Sequence, residues 1–292
     1  MENLTGPDRN RYAAIKDWVH RHLAAWEARD GLAIGETLHP NIQFILPTIN
    51  WQGRSLVQTA LESYLAHYSA LRLHLRRLLL DPTQQVAAVE WIGRYARPGQ
   101  DGCQEILGGT VLDFNQDGLI IRWRTYLDPV RQRTLANLDA SLPDEGWSPC
   151  PDPGPPLLRT AVEQVIYAYG QGWSNHNVTQ LSAVIHEEMV VQPPWDYVVG
   201  RAAIEAGAQV YFANYVDTCV TPHRLILDST QPHVGVCEQT FACTNPDTGQ
   251  GGEDHDFAFF EIAQGKLRYW RTYFDTIHSA QVVEKTAGYL RR

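Results

Sequence analysis

A six-residue stretch occurs twice in this chain, and it limits the possible folds more than any other feature. Trp123-Arg124-Thr125-Tyr126-Leu127-Asp128 returns as Trp270-Arg271-Thr272-Tyr273-Phe274-Asp275, 147 positions later and with one apolar exchange. In both copies a glycine, Gly118 or Gly265, stands five residues before the Trp. Large and polar residues alternate up to an acidic stop, which predicts a hairpin turn followed by a strand with two distinct faces. A motif repeated at such a distance implies a duplicated domain.

The rest of the chain follows the same offset. Ile15, Trp18, Val19 and Trp26 meet Val162, Val165, Ile166 and Trp173, and Gly53-Arg54 meets Gly200-Arg201. Tyr64 and Tyr68 meet Tyr211 and Tyr215, and Glu90 meets Glu238 after one inserted residue. Insertions and deletions between the copies fall in loops, where a fold tolerates them.

Within each copy the periodicity changes once. Ile15, Trp18, Val19, His22, Leu23 and Trp26 recur at helical spacing. A second helix capped by Asp30 stops before Pro40, with His39 and His186 at its C-terminal end in the two copies. A short strand covers residues 42–46, and a third helix follows the Gly-Arg turn. After it, residues 73–80, 86–95, 105–114 and 119–127 read as strands separated by Asp81-Pro82, Pro98-Gly99 and Gln116-Asp117-Gly118. Three helices followed by an antiparallel meander is an α+β layout, helices packed on one face of a curved sheet. Six prolines between Asp139 and Pro156 mark an extended, stiff linker. The expected division is a first repeat over 10–135, a linker over 136–156 and a second repeat over 157–285.

Composition excludes several roles. A formal charge of −9 opposes nucleic acid or an anionic membrane surface as partner, since both reward clustered Lys and Arg. The only dense basic run, Arg72 to Arg77, is interrupted by leucines. No apolar run reaches membrane-spanning length, so no membrane insertion is expected. Five cysteines without C-x-x-C spacing, and a polar N-terminus without an apolar signal core, point to free thiols and a cytoplasmic setting. No His/Asp/Glu group has metal spacing, no Ser or Cys sits in a nucleophile motif and no Gly-rich phosphate loop is visible. The expectation is therefore no metal and no cofactor.

The opening helix with its terminal Trp, the Gly-Arg turn, the Val-x-x-Glu strand and the hairpin Gly followed by Trp-Arg-x-Tyr-Phe/Leu-Asp resemble the nuclear-transport-factor-2-like superfamily. Within it the chain most resembles SnoaL-like polyketide cyclases and limonene epoxide hydrolases, as two tandem copies over nearly its whole length. The resemblance implies two cone-shaped α+β barrels, each with a pocket between helices and concave sheet. It also implies pairing through the outer face of the sheet, where Arg124, Tyr126, Arg271 and Tyr273 would lie, giving an internal pseudo-dimer and leaving a homodimer open. Residue by residue the carry-over is selective. In epoxide hydrolases of this fold an Asp two residues after the motif Trp activates water, and here that position is Thr125 or Thr272, which cannot accept a proton near neutral pH. The ketosteroid isomerase resemblance places its hydrogen-bonding Tyr on Tyr169 in the second copy and on His22 in the first. Its strand Asp falls within one or two residues of Asp256, and its base falls near Gln192 and Leu46, neither of which can serve. The Tyr-Asp pair of scytalone dehydratases becomes Tyr169-Gly170 and fails at the second residue.

The densest ionisable cluster is Glu253-Asp254-His255-Asp256. If Ala258, Phe260 and Ile262 face the cone, strand alternation puts Asp254 and Asp256 on the same face. A carboxyl held there among aromatics would be kept protonated by desolvation and could act as an acid. Catalytic candidates are Tyr169, Glu238, Asp254, Asp256 and His223. Trp173, Trp195, Tyr197, Phe260, Trp270 and Thr272 are expected around the substrate. The first cone would present His22, Trp26, Glu90, Trp123 and Thr125, with Gly108-Gly109 where the acidic cluster stood, and is expected to be structural or degenerate. The expected function is a cofactor-free cyclase, isomerase or dehydratase acting by proton transfer on a hydrophobic small molecule of polyketide- or terpenoid-like metabolism. The alternative is a carrier that holds a hydrophobic ligand or pigment without chemistry.

Overall fold

The computed structural model describes residues 6–46, 49–142, 150, 152–193, 197–215, 217–244, 249 and 251–274. The chain divides into two compact units, Met1–Asp144 and Glu145–Arg292. No helix among the described residues is long and apolar enough to cross a membrane.

The first unit runs α1 (Gly6–Glu27), α2 (Gly31–Glu36), β1 (Leu38–Leu46), β2 (Ile49–Gln52), α3 (Arg54–Leu65), β3 (Ala70–Asp81), β4 (Val86–Ala96), β5 (Cys103–Phe114) and β6 (Ile120–Leu135). The second repeats it as α4 (Arg159–Ser174), α5 (Val178–Val184), β7 (Ile185–Gln192), β8 (Val198–Val199), α6 (Arg201–Asn214), β9 (Cys219–Leu227), β10 (Val234–Thr244), β11 (Gly251–Ala263) and β12 (Lys266–Phe274). Each unit is therefore α+β, three helices against a curved sheet.

In the first unit the antiparallel order β3-β4-β5-β6 continues into β1, which runs parallel to β6, and then into β2. In the second, β9-β10-β11-β12 continues in the same way into β7 and β8. The last strand of each path pairs with one neighbour only, so neither sheet closes into a barrel. The meander β3 to β6 is antiparallel as expected, and the parallel step is an addition to it. This step puts the strand that follows α2, or α5, beside the motif strand.

Local chemistry repeats along with topology. Asp30 and Asn177 cap α2 and α5 by accepting from the backbone N–H of Ala33 and Gln180, each at 2.9 Å. His39 and His186 lie in β1 and β7, not at helix ends as expected, because the helices stop two or three residues earlier. Each accepts through Nδ1 from the N–H two residues on, Asn41 at 3.1 Å and Glu188 at 3.2 Å. The expected stop at Asp128 is also corrected, since β6 runs on to Leu135. The proline-rich stretch does not behave as a free spacer where it is described. Cys150 N–H donates to Glu261 at 2.7 Å, and Pro153 O accepts from Gln264 N–H at 2.9 Å, which ties it to the end of β11.

One stripe of each long helix and alternate strand residues fill each core. Ile15, Val19, Phe44, Val57, Leu61, Val89, Leu112 and Trp123 cluster in the first unit. Val162, Ile166, Tyr169, Ile204, Cys237, Ala258, Phe260 and Trp270 do so in the second. Gly118 and Gly265 both adopt positive φ, +80° and +72°, as the hairpin turn requires. Their surroundings differ: a Cβ on Gly118 would stand 2.1 Å from the Trp18 ring, whereas one on Gly265 would meet nothing within 4 Å among the described residues. Gly118→Ala is therefore expected to cost about 2–4 kcal/mol, combining backbone strain with overpacking. Gly265→Ala should cost only the strain, about 1–2 kcal/mol. Chemical denaturation of the two variants checks this, and equal costs would refute the role of Trp18.

Candidate active site and ligand cavity

The second unit gathers its carboxyls as strand alternation requires. In β11, Ala258, Phe260 and Ile262 belong to the core, so Asp256 and Asp254 share their face. Asp256 is 1% exposed and Asp254 7%. In β10, Cys237 belongs to the same core, which puts Gln239 on that face directly opposite Asp256 in the strand register. Gln239 Nε2 donates to Asp256 Oδ2 at 3.2 Å, and the Cys237 thiol lies 3.8 Å from Gln239 Oε1. Asp256 Oδ1 is buried and has no hydrogen-bond partner among the described residues. Burial first, and the neighbouring Asp254 charge second, push the Asp256 carboxyl well above the usual carboxylate range, against the smaller effect of Gln239. Burial thus favours the protonated acid. Because Oδ2 is occupied as an acceptor, the proton belongs on Oδ1.

Aromatic groups surround this pair of strands. Tyr169 is buried on α4, its ring 4.8 Å from Trp270 and 6.2 Å from Trp173, and burial raises its phenol above the ordinary range. Phe260 stacks on Trp270 at 6.2 Å. Thr272 is buried beside Ala258 in the register. Tyr211, Tyr215 and Cys243 cluster with Trp173, Phe212 and Phe241, and Phe241 stands opposite Asp254. Desolvation lifts the Cys243 thiol to about 11, so it is not a thiolate nucleophile at neutral pH.

Three expected site residues lie apart from this group. Glu238 is one position out of phase with Cys237 and Gln239, so its carboxylate is on the other face of β10, where Arg224 approaches to 3.7 Å. His223 is likewise out of phase, in the β-bulge opposite Glu238 and Gln239, and its Nε2 is 2.6 Å from Thr240 Oγ1. Alternation explains Glu238, whose neighbours face the core, whereas the bulge explains His223, which plain alternation from Leu225 would have turned inward. Tyr197 is 45% exposed ahead of β8, and Trp195 lies outside the described residues.

The first unit encloses a cavity of about 360 Å³, lined by 23 residues, chiefly apolar. His22, Trp26, Trp123 and Thr125 line it as expected, joined by Trp51, Trp91 and Thr110, which sequence reasoning had not singled out. Glu90 does not line it. Its carboxylate is fully buried on the opposite face of β4 in an ion pair with Arg77, which corrects its expected place in the pocket. His22 is held neutral. An indole N–H can only donate, and Trp26 Nε1 donates to His22 Nε2 at 3.2 Å, so the ring proton is on Nδ1 and goes to Thr37 Oγ1 at 2.9 Å. Burial without a counter-charge lowers the His22 pKa to about 3.

The strand registers show how the two sites diverged. Gln239 faces Asp256 in the second unit, and at the equivalent rungs Trp91 faces Gly108 in the first. A Cβ on Gly108 would come within 2.5 Å of the Trp91 ring. An indole over a glycine thus occupies the rung that holds an amide and a carboxyl in the other copy.

Comparison with known proteins agrees with this architecture. A family model described as a SnoaL-like domain matches twice, over residues 19–123 and 166–270. No curated protein matches the sequence. Among solved structures, an LEH-like epoxide hydrolase of M. tuberculosis is 17% identical, covering 45% of this chain and 96% of its own, with a TM-score of 0.37. SalBIII, an epoxide hydrolase/cyclase-like enzyme of pyran ring formation in the polyether salinomycin, is 14% identical, covering 41% and 95%, with a TM-score of 0.37. A protein of ketosteroid-isomerase-like fold from Catenulispora acidiphila, in complex with trimethylamine, is 11% identical, covering 43% and 92%, also at 0.37.

Proposed function

The chain belongs to the SnoaL-like domain family, once in each half, and from that premise we propose that it is a cofactor-free enzyme whose chemistry resides in the second unit. The reading is a cyclase, isomerase or dehydratase that moves a proton around a carbonyl or hydroxyl of a hydrophobic, polyketide- or terpenoid-like small molecule. One observation carries it: a carboxyl, Asp256, buried on the core face of β11 with its Oδ1 unpartnered among the described residues. Such a group donates a proton, or a strong hydrogen bond, to oxygen as negative charge develops there. Asp254, two residues away on the same face, is the carboxylate that removes the proton from carbon. Two carboxyls this near oppose each other's ionisation, so the pair titrates as a unit with one proton retained at neutral pH. Gln239 is the positioning residue that keeps that proton on Oδ1, and Tyr169, Trp173 and Trp270 exclude water.

The test is solvent exchange. The full chain is incubated in deuterium oxide with a panel of cyclic ketones, and deuterium incorporation beside the carbonyl is followed by mass spectrometry. Exchange above the buffer rate is expected for at least one ketone, falling about 10²–10⁴-fold in Asp256→Asn while ligand affinity is retained. No exchange across the panel, or exchange untouched by Asp256→Asn, would refute the reading.

A further inference from the structure

The floor of the first cavity permits a proton count. Trp91 Nε1 donates to Thr110 Oγ1 at 2.9 Å, and Trp123 Nε1 donates to Thr125 Oγ1 at 2.9 Å. The two threonine oxygens are themselves 2.9 Å apart, so one hydroxyl donates to the other. Two hydroxyl protons enter this network and one is consumed inside it. What remains for the cavity is one O–H donor on one threonine and one lone pair on the other. Both threonines line the cavity, so a buried donor awaits a partner there.

The two ionisable nitrogen groups of the lining, His22 and Arg94, are already committed. Both His22 nitrogens are engaged, and its low pKa keeps the ring uncharged. Arg94 spends its five N–H groups on Glu105 and on the carbonyls of Leu138, Ala140 and Ser141. Among the described residues of the lining there is no carboxylate to hold an amine. An anion would likewise find no free cation, and either charge would lose its hydration for nothing.

We infer that the first unit is a non-catalytic binding chamber for a neutral, compact, mainly hydrocarbon molecule bearing a single oxygen function, whose oxygen seats on the Thr110–Thr125 pair. A hydroxyl satisfies both the donor and the lone pair, and a carbonyl satisfies the costlier donor alone. At interior packing density the cavity holds a ligand of about 10–20 non-hydrogen atoms. The device is absent from the second unit, where the rungs of Trp91 and Thr110 carry Gln239 and Ala258. The inference rests on the threonine pair and stands or falls independently of Asp256.

A matched series tests it: decalin, 2-decalol, 2-decalone and decalin-2-carboxylate, titrated against the full chain by quenching of tryptophan fluorescence. The alcohol and the ketone are expected to bind about three- to tenfold tighter than decalin, and the carboxylate weakest of all. Thr125→Val should remove the advantage of the oxygenated ligands and leave decalin unchanged, while Thr125→Ser keeps it. Ala60→Phe, which fills the cavity from α3, should abolish binding of all four. If Thr125→Val does not fold, the wild-type order, Thr125→Ser and Ala60→Phe still decide. Decalin binding as well as decalol, the carboxylate binding best, no member binding at millimolar concentration, or binding that survives Ala60→Phe would each overturn the inference.

Discussion

Asp256→Asn is expected to stabilise the second unit at neutral pH and to have no effect on stability below about pH 4. The folded state raises the Asp256 pKa through burial and the adjacent Asp254 charge, whereas in the unfolded chain the carboxyl ionises at its ordinary value of about 3.9. Between those two values the folded state holds a proton that the unfolded state releases. Stability therefore falls as pH rises through that window, at up to about 1.4 kcal/mol per pH unit, and the loss is complete once pH passes the folded value. Asparagine keeps the shape and can still accept from Gln239, but has no charge to suppress. Calorimetry from pH 3.5 to 8 should show the melting temperature of the variant unchanged at the acid end and rising above wild type towards neutrality, by about 2–4 °C for each kcal/mol. A variant less stable than wild type at pH 7 would mean that Asp256 is ionised and paired. The same substitution is expected to lose proton transfer, an exchange of stability for function that sites holding a buried acid commonly show.

Arg94→Met should produce the largest loss of stability in the first unit. Arg94 is 1% exposed and Glu105 0%. The guanidinium joins that carboxylate, at 2.8 Å from Nε, to three carbonyls of the segment that follows β6. Removing it strands those carbonyls and leaves Glu105, among the described residues, with Arg133 alone, at 2.7 Å. Breaking a buried pair from one side costs about 3–5 kcal/mol, or roughly 10 °C in a unit of this size. The double variant Arg94→Met, Glu105→Leu should recover much of the loss, because the charge that was left behind is gone. A loss below about 1 kcal/mol in the single variant would show that the clamp is dispensable.

Much of the architecture is legible in the residues themselves. The offset of 147, the helical stripe from Ile15 to Trp26 and the Gly-Arg turns carry local information, and Gly53 and Gly200 indeed adopt φ of +100° and +90° ahead of their helices. Strand parity was equally legible once Ala258 and Phe260 were set inward, which placed Asp254 and Asp256 on the core face. The parallel pairing of β1 with β6 left no local trace, since pairing between strands so far apart in sequence depends on how the helices return the chain. Glu238 and His223 went astray because a mid-strand polar residue suits either face, and only register and a bulge decide between them. Thr110 and Trp91 were missed for a different reason. Neither is a titratable group, and their importance lies in which atoms they touch.

The sequence by itself determined the duplication, the α+β class, the sharing of one strand face by Asp254 and Asp256, and the absence of the expected Asp at Thr125 and Thr272. Those properties follow from period, composition and position, which a linear chain displays. Tertiary structure alone decided which oxygen of Asp256 accepts from Gln239, that His22 is neutral with its proton on Nδ1, and that the Thr110–Thr125 pair of the first unit has one hydroxyl proton to offer its chamber. Each of these is a matter of hydrogen-bond bookkeeping among groups brought together from distant segments. A donor becomes available, and a pKa moves, only when folding removes water and fixes who its neighbours are.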